Sequence, residues 1–289
     1  EEDLSTLAKN KINLNLLLNA NCYGKYSQSR CFYNEIGDLV NYISEEYGLH
    51  SVTTTSPLIA KFIKSNFPQL DIRASVNMEI GTIQGMDYLN EYFDSYYMKR
   101  EYNRDVRRII ELKDWCTKNQ KKLFLLANSG CLNNCSVRQF HDNLVAHENE
   151  IKEMDNAIQF RGICREYLNK REKQISVIRD TSFIRPEDMA IYDQWFTAAK
   201  LATRVSLNPI RTLEAYVNGG YSGNVLELLE PNYTDILYPN ILENKKIPDD
   251  FIEKVLYCNK NCSNCEYCNE VYNKALVRLD YGGIINVNQ

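Results

Sequence analysis

No apolar run in this sequence of 289 residues reaches the 18 or so that a membrane-spanning helix requires, so a membrane span is not expected. The opening Glu1-Glu2-Asp3-Leu4 has neither the basic head nor the apolar core of a secretory signal. Positive charge is not in excess either. Thirty-four Lys and Arg stand against 38 Asp and Glu, leaving a net charge of −4 and a pI near 5.6. No global basic field therefore argues for nucleic acid, although a local basic groove stays open. Ten cysteines fall short of a disulfide scaffold, and without a leader they point to a reducing, cytoplasmic setting. Internal repeats and low-complexity tracts are missing. So are the His-Glu-x-x-His helix of zinc peptidases and the Gly-x-Ser-x-Gly elbow of serine hydrolases. Gly219–Gly223 (GGYSG) lacks the framing of a phosphate-binding loop.

What is present is cysteine in tight runs. Six of the ten fall in two clusters: Cys131-x3-Cys135, echoed downstream by Cys164, and Cys258-x3-Cys262-x2-Cys265-x2-Cys268. Thiolates three or four residues apart converge readily on one soft metal centre, and packing seldom needs them so close. In the C-terminal run, two overlapping Cys-x2-Cys steps are like half of a bacterial ferredoxin motif. This favours a second four-iron–four-sulfur cluster over a structural zinc, which usually draws two separated pairs. A third option is that the tail folds back and lends one thiolate to the first centre. Cys116 lies in a helical stretch and reads as plain core.

Short β-rich runs alternate with helical stretches. The strand candidates are Ile12–Asn19, Ser51–Thr55, Asp71–Asn77, Ser95–Arg100, Lys122–Asn128, Ser182–Ile184 and Trp195–Leu201. Helical patterns fill Glu35–Tyr47, Pro57–Asn66, Thr82–Tyr92 and Arg104–Lys118. This rhythm predicts an α/β fold with a parallel sheet: a (β/α)8 TIM-like barrel short of its first strand, with a doubly wound sheet as the alternative. Glu2–Lys11 reads as a helix with no strand before it, as if the chain opens inside a first βα unit. After about residue 230 the rhythm stops, and Pro231, Pro239 and Pro248 punctuate the tail. The expected division is a barrel over 1–230 and a cysteine-rich extension over 231–289.

In a parallel barrel, chemistry gathers where strands end. Here those ends are polar or thiol-bearing: Asn19–Gly24, Ser75–Asn77, Lys99–Arg104, Asn128–Cys135, Arg185–Asp188 and Lys200–Arg204. Lys200 and Arg204 form a candidate receptor for a carboxylate or phosphate, with Arg100 and Arg104 able to extend it. Asn128 and Arg185 complete the substrate-binding candidates, and Arg185 reads alternatively as an ion pair with Glu187. His141 and His147 follow the cysteine loop as candidate proton donors or surface histidines, whereas His50 reads as structural.

Several segments resemble the collagenase-like peptidase family, the family of unassigned mechanism numbered thirty-two. They are NSGCLNNCSVRQFH (128–141) with the distant Cys164, and FIRPEDMAIYDQWFTAAKLATR (183–204) with its Lys200-x3-Arg204 element. NLLLNANCYG (15–24) and residues 56–77 add to them. The resemblance spans residues 12–229. It implies a barrel carrying a cysteine-ligated four-iron–four-sulfur cluster, in a family with members serving oxygen-independent hydroxylation of RNA bases or a quinone precursor and others classed as peptidases. Carried over, it assigns Cys131, Cys135 and Cys164 to the cluster. The family's fourth cysteine is not found close to Cys164, which leaves Cys22, at the end of the first strand, ahead of Cys31.

The expected function is an iron–sulfur enzyme that hydroxylates or otherwise modifies a small carboxylate, an RNA or a peptide. The alternatives are a peptidase working in the barrel mouth, and a non-catalytic electron-transfer or partner subunit docking through its cysteine tail.

Overall fold

The computed structural model describes residues 1–279. Its main sheet has six parallel strands: β1 (Leu14–Leu18), β2 (Leu49–Thr54), β3 (Asp71–Ala74), β4 (Ser95–Tyr97), β5 (Lys122–Leu126) and β6 (Ala198–Lys200). They are hydrogen-bonded in strict chain order, β1 to β6. Because the order never reverses, the doubly wound alternative is excluded, and the sheet curls as a half-barrel. Among the described residues β1 and β6 are its two edges, so six strands are seen there and not a closed barrel.

Helices α1 (Glu2–Lys9), α2 (Arg30–Tyr47), α3 (Pro57–Asn66), α4 (Ile83–Asp87) and α5 (Val106–Lys118) alternate with the first five strands. Their ends are written in the sequence. Ser29, Ser56 and Asp105 accept amide bonds from Phe32, Ile59 and Arg108, and Pro57 occupies the first turn of α3. Gly48, at φ 72°, closes α2 in the left-handed conformation that a side chain resists.

Alternate strand residues face opposite layers. Val52, Ile72, Tyr96, Leu123 and Leu125 join the main core beneath the helices. Tyr97, Phe124 and Leu126 form a second cluster with Val76 on the concave side. There Arg73 lies 4.7 Å over the Phe124 ring and Lys200 5.7 Å over Tyr97.

The Ser182–Ile184 run, expected as a strand, is not one. Ile184 N donates to Ala127 O at 2.8 Å, but the carbonyls of Ser182 and Phe183 are taken by Asn103 and Arg104 side chains. With those groups engaged, no ladder can extend, and β6 pairs directly with β5.

Beyond β5 come α6 (Arg138–Ala146) and α7 (Glu148–Lys152). The stretch after Pro231 adds Tyr233, Leu237, Leu242, Phe251, Val255 and Val271 to the same core as the sheet. Two buried arginines bolt it down. Arg104 stacks 5.0 Å from the Phe251 ring, and Arg185 donates to the carbonyls of Ile247 and Pro248. A short antiparallel pair, β7 (Asn240–Leu242) with β8 (Leu276–Arg278), finishes the described chain.

Candidate functional site

The carboxyl ends of β1 to β5 open onto a cavity of about 700 Å³. Each strand contributes: Asn21 after β1, Thr55 after β2, Asn77 after β3, Lys99 and Glu101 after β4, Cys135 after β5. Helix α6 lies over this mouth. Arg138 and Asp142, four residues apart and therefore on one helical face, both line the cavity.

The lining is a charge network. Arg138 reaches Glu79 at 2.8 Å and Glu101 at 3.2 Å, and Lys99 meets the same two carboxylates at 3.5 and 3.1 Å. Arg100 donates through Nη2 to Asn77 Oδ1 at 2.9 Å, and its Nη1 lies 3.7 Å from Cys131 Sγ. Burial is the largest influence on Asp142 and lifts its carboxyl above the ordinary value, against the pull of Arg100, Arg138 and His141. Burial likewise lowers Lys200, and the neighbouring cations Arg204 and Arg100 add to that shift.

The β5 loop is fixed from below. Asn128 donates to the carbonyls of Ala202 and Leu228 and accepts from Ala202 N, which engages its amide in the scaffold. Gly130 passes so close to the chain after β6 that a Cβ would stand 2.0 Å from Pro231 O. Cys131 follows. Its neighbour Tyr233 is wholly buried, and the Tyr233 hydroxyl has no partner in hydrogen-bond geometry among the described residues. Burial first, then Cys164 and Cys131, raise that phenol. Cys131 and Cys164, far apart in sequence, are both near enough to this buried hydroxyl to add to that shift.

The other residues singled out in the sequence fall in several places. Arg185 is buried and forms its ion pair with Asp188 at 2.8 Å; Glu187 instead accepts from Tyr221 N and Asn244 Nδ2. Arg204 is exposed. Cys31 donates to Glu35 Oε1 at 3.2 Å, and Cys22 Sγ accepts from Gly24 N at 3.4 Å. His141 packs edge-on to Phe160, and His50 is an exposed residue within β2. Cys116 is buried in α5, where burial pushes its thiol up to about 12. In the C-terminal run, Cys258 and Cys268 are half-buried and Cys262 and Cys265 exposed, and burial is the largest influence raising the Cys268 thiol. Among the described residues no three His, Cys, Asp or Glu side chains are arranged as a ready metal site.

Sequence reasoning missed Glu79, Arg138, Asp142 and Tyr233, and placed Glu101 at a polar strand end without giving it a role. The four-residue spacing of Arg138 and Asp142 on a helix after the cysteine loop was the one signal available. Glu79 and Tyr233 stand in segments with no pattern to mark them.

No family model matches the chain. A relative in Methanocaldococcus jannaschii, named an uncharacterized protease, is 26% identical over 276 residues, or 93% of this chain and 78% of its own length. A solved structure of a U32 peptidase is similar at a TM-score of 0.49 and 11% identity, covering 68% of this chain and 72% of that one. Among the described residues no helix is long and apolar enough to cross a membrane.

Proposed function

We propose that this chain, for which the near-full-length relative supports the collagenase-like peptidase family, is an iron–sulfur enzyme working at the mouth of its half-barrel. In this reading Cys131, Cys135 and Cys164 hold the cluster. The observation that supports it is the nearness of Cys131 and Cys164, distant in sequence, to the buried hydroxyl of Tyr233, which makes no well-aligned hydrogen bond among the described residues. Three cysteine sulfurs are the donor set that iron–sulfur chemistry prefers over hard metals. Held by these cysteines, such a cluster would supply redox chemistry at the mouth of the half-barrel.

The protein's own residues do the rest. Arg100 and Arg138 place positive charge beside Cys131 and offset thiolate charge there. Lys200, with Arg204 and Arg100 nearby, offers an anion site for a carboxylate or phosphate of the substrate. The cavity, lined by Asn21, Asn77 and Asp142, has the polar wall that a hydrophilic organic substrate needs. The C-terminal cysteines would hold a second cluster or a zinc, and the preference for iron rests on their spacing. A cytoplasmic setting fits oxygen-sensitive clusters.

Anaerobic purification with iron, sulfide and zinc analysis tests this. Iron and sulfide in equal amounts, lost together in Cys131→Ala and in Cys164→Ala, are the expected result. Retention of full iron by both variants would sink the assignment.

A further inference from the structure

The wall that Glu79 and Lys99 give the strand-end cavity has a second cavity behind it. This one, of about 490 Å³, shares Met78, Glu79 and Lys99 with the first. Beyond them its lining turns apolar, with Ile80, Tyr88, Leu89 and Tyr102 around Gly81. A Cβ on Gly81 would stand 2.6 Å from Tyr102 Cε2, so the Tyr102 ring lies directly on that backbone. Lys99 N donates to Ile80 O at 3.0 Å, which ties this loop to the end of β4. Tyr88 is 78% exposed and stands at the rim.

The shared wall is strained and electrically spent. Glu79 takes φ 54°, the left-handed region that a residue with a side chain resists. Its carboxylate is held by Arg138 at 2.8 Å and by Lys99 and Arg100 at 3.5 Å. Lys99 and Arg138, the cations of the two linings, also meet Glu101. Neither is left over for a phosphate, so a nucleic-acid backbone has no counter-charge here.

The first cavity offers carboxamides instead. Asn21, Asn134, Gln139 and Asn143 line it, and Asn21 Oδ1 is buried without a partner among the described residues. A carboxamide both donates and accepts, which suits an uncharged chain of alternating N–H and C=O groups.

We propose, taking the strand-end cavity as the substrate site as above, that the second cavity is a side-chain subsite for a polypeptide substrate. Peptide groups of an extended segment hydrogen-bond along the carboxamide wall. One large apolar side chain passes the Glu79–Lys99 pair into the space lined by Ile80, Gly81, Tyr88 and Tyr102. Branched aliphatic and aromatic side chains gain by burial there. A charged side chain does not, since the lining beyond Glu79 and Lys99 carries no further charge to pair with it.

The test is binding to the full chain carrying methyl-labelled methionine, because Met78 lines both cavities. Its methyl resonance, assigned by its loss in Met78→Leu, is followed during titration with blocked peptides. These are acetyl-glycyl-leucyl-glycinamide, its phenylalanyl counterpart and its all-glycine counterpart. The leucyl and phenylalanyl peptides are expected to bind about 10-fold more tightly than the glycine one. Tyr88→Ser should bring them to within about 3-fold of it, and Tyr88→Phe should restore the preference. Equal dissociation constants for all the peptides would overturn the subsite while leaving the strand-end cavity as the place of binding. A preference that survives Tyr88→Ser at full strength, or a hexauridylate that displaces the leucyl peptide, would overturn it too. No shift of Met78 with any peptide would overturn both the subsite and the substrate role of the strand-end cavity. The iron content of Cys131→Ala decides the cluster separately.

Discussion

Arg100 ties two strand ends together: its Nη2 holds Asn77 Oδ1 at 2.9 Å while its Nη1 lies 3.7 Å from Cys131 Sγ. Asn77 in turn donates to Asn19 O at 3.2 Å, so the ends of β1, β3, β4 and β5 are linked through one guanidinium. Replacing Arg100 by Met leaves Asn77 Oδ1 without this donor and removes a buried cation from beside two carboxylates. We expect a loss of about 1–3 kcal/mol in urea unfolding. Arg100→Lys recovers only part of it, because a point charge cannot span both partners.

Gly130 is the position where the cysteine loop touches the chain after β6. Ala there would force Pro231 O away from a 2.0 Å approach, and with it the Tyr233 segment. Thermal unfolding of Gly130→Ala should show a destabilisation of about 1–3 kcal/mol, and Cys131 should become more accessible to a thiol reagent. Unchanged melting would mean that the two segments are not in contact.

Arg104 is fully buried and spends its guanidinium on the carbonyls of Ile178, Thr181 and Phe183, between the Phe183 and Phe251 rings. Arg104→Met strands three buried acceptors. A loss of about 3–5 kcal/mol, read from denaturant midpoints, is the expected outcome.

Asp142 sets an acid-side dependence. Burial raises its carboxyl above the ordinary 3.8 in the fold. A carboxyl raised by folding binds its proton first in the native state. Its contribution to stability is complete below the unfolded value and is lost as pH rises through the folded one. Asp142→Asn should therefore be more stable than the parent at neutral pH and converge with it near about pH 3.5. Parallel urea titrations at the two pH values give the comparison; an Asn variant less stable at neutral pH would contradict it.

The C-terminal thiols offer a metal readout. If they hold iron or zinc, chelation should lower the melting temperature, and Cys265→Ser should remove that response while leaving the metal at Cys131 and Cys164 in place. Equal loss at both places would mean one shared centre.

Much of the frame was readable beforehand because it depends on local signals. The apolar run of β5, the Ser56-Pro57 cap of α3 and the Asp105 cap of α5 act within a few residues. So do the turns that end β1 to β4. The Ser182–Ile184 run failed as a strand because its fate was decided by Asn103 and Arg104, some 80 residues earlier, taking its carbonyls. Arg185 and Asn128 looked like binding residues because both stand at strand ends. Their partners, Asp188 with the Ile247 and Pro248 carbonyls in one case and Ala202 with Leu228 in the other, are set by packing.

The sequence by itself determined the alternation of strand and helix, the parallel sheet and the two cysteine runs, since periodicity, caps and close spacing are local properties. Only the tertiary structure decided that the sheet of the described residues has six strands, that Cys131 and Cys164 both come near Tyr233, and that the His147 ring packs beside the Cys22–Gly24 turn. Each of these joins residues distant along the chain, and buried polar groups must find partners wherever the fold brings them.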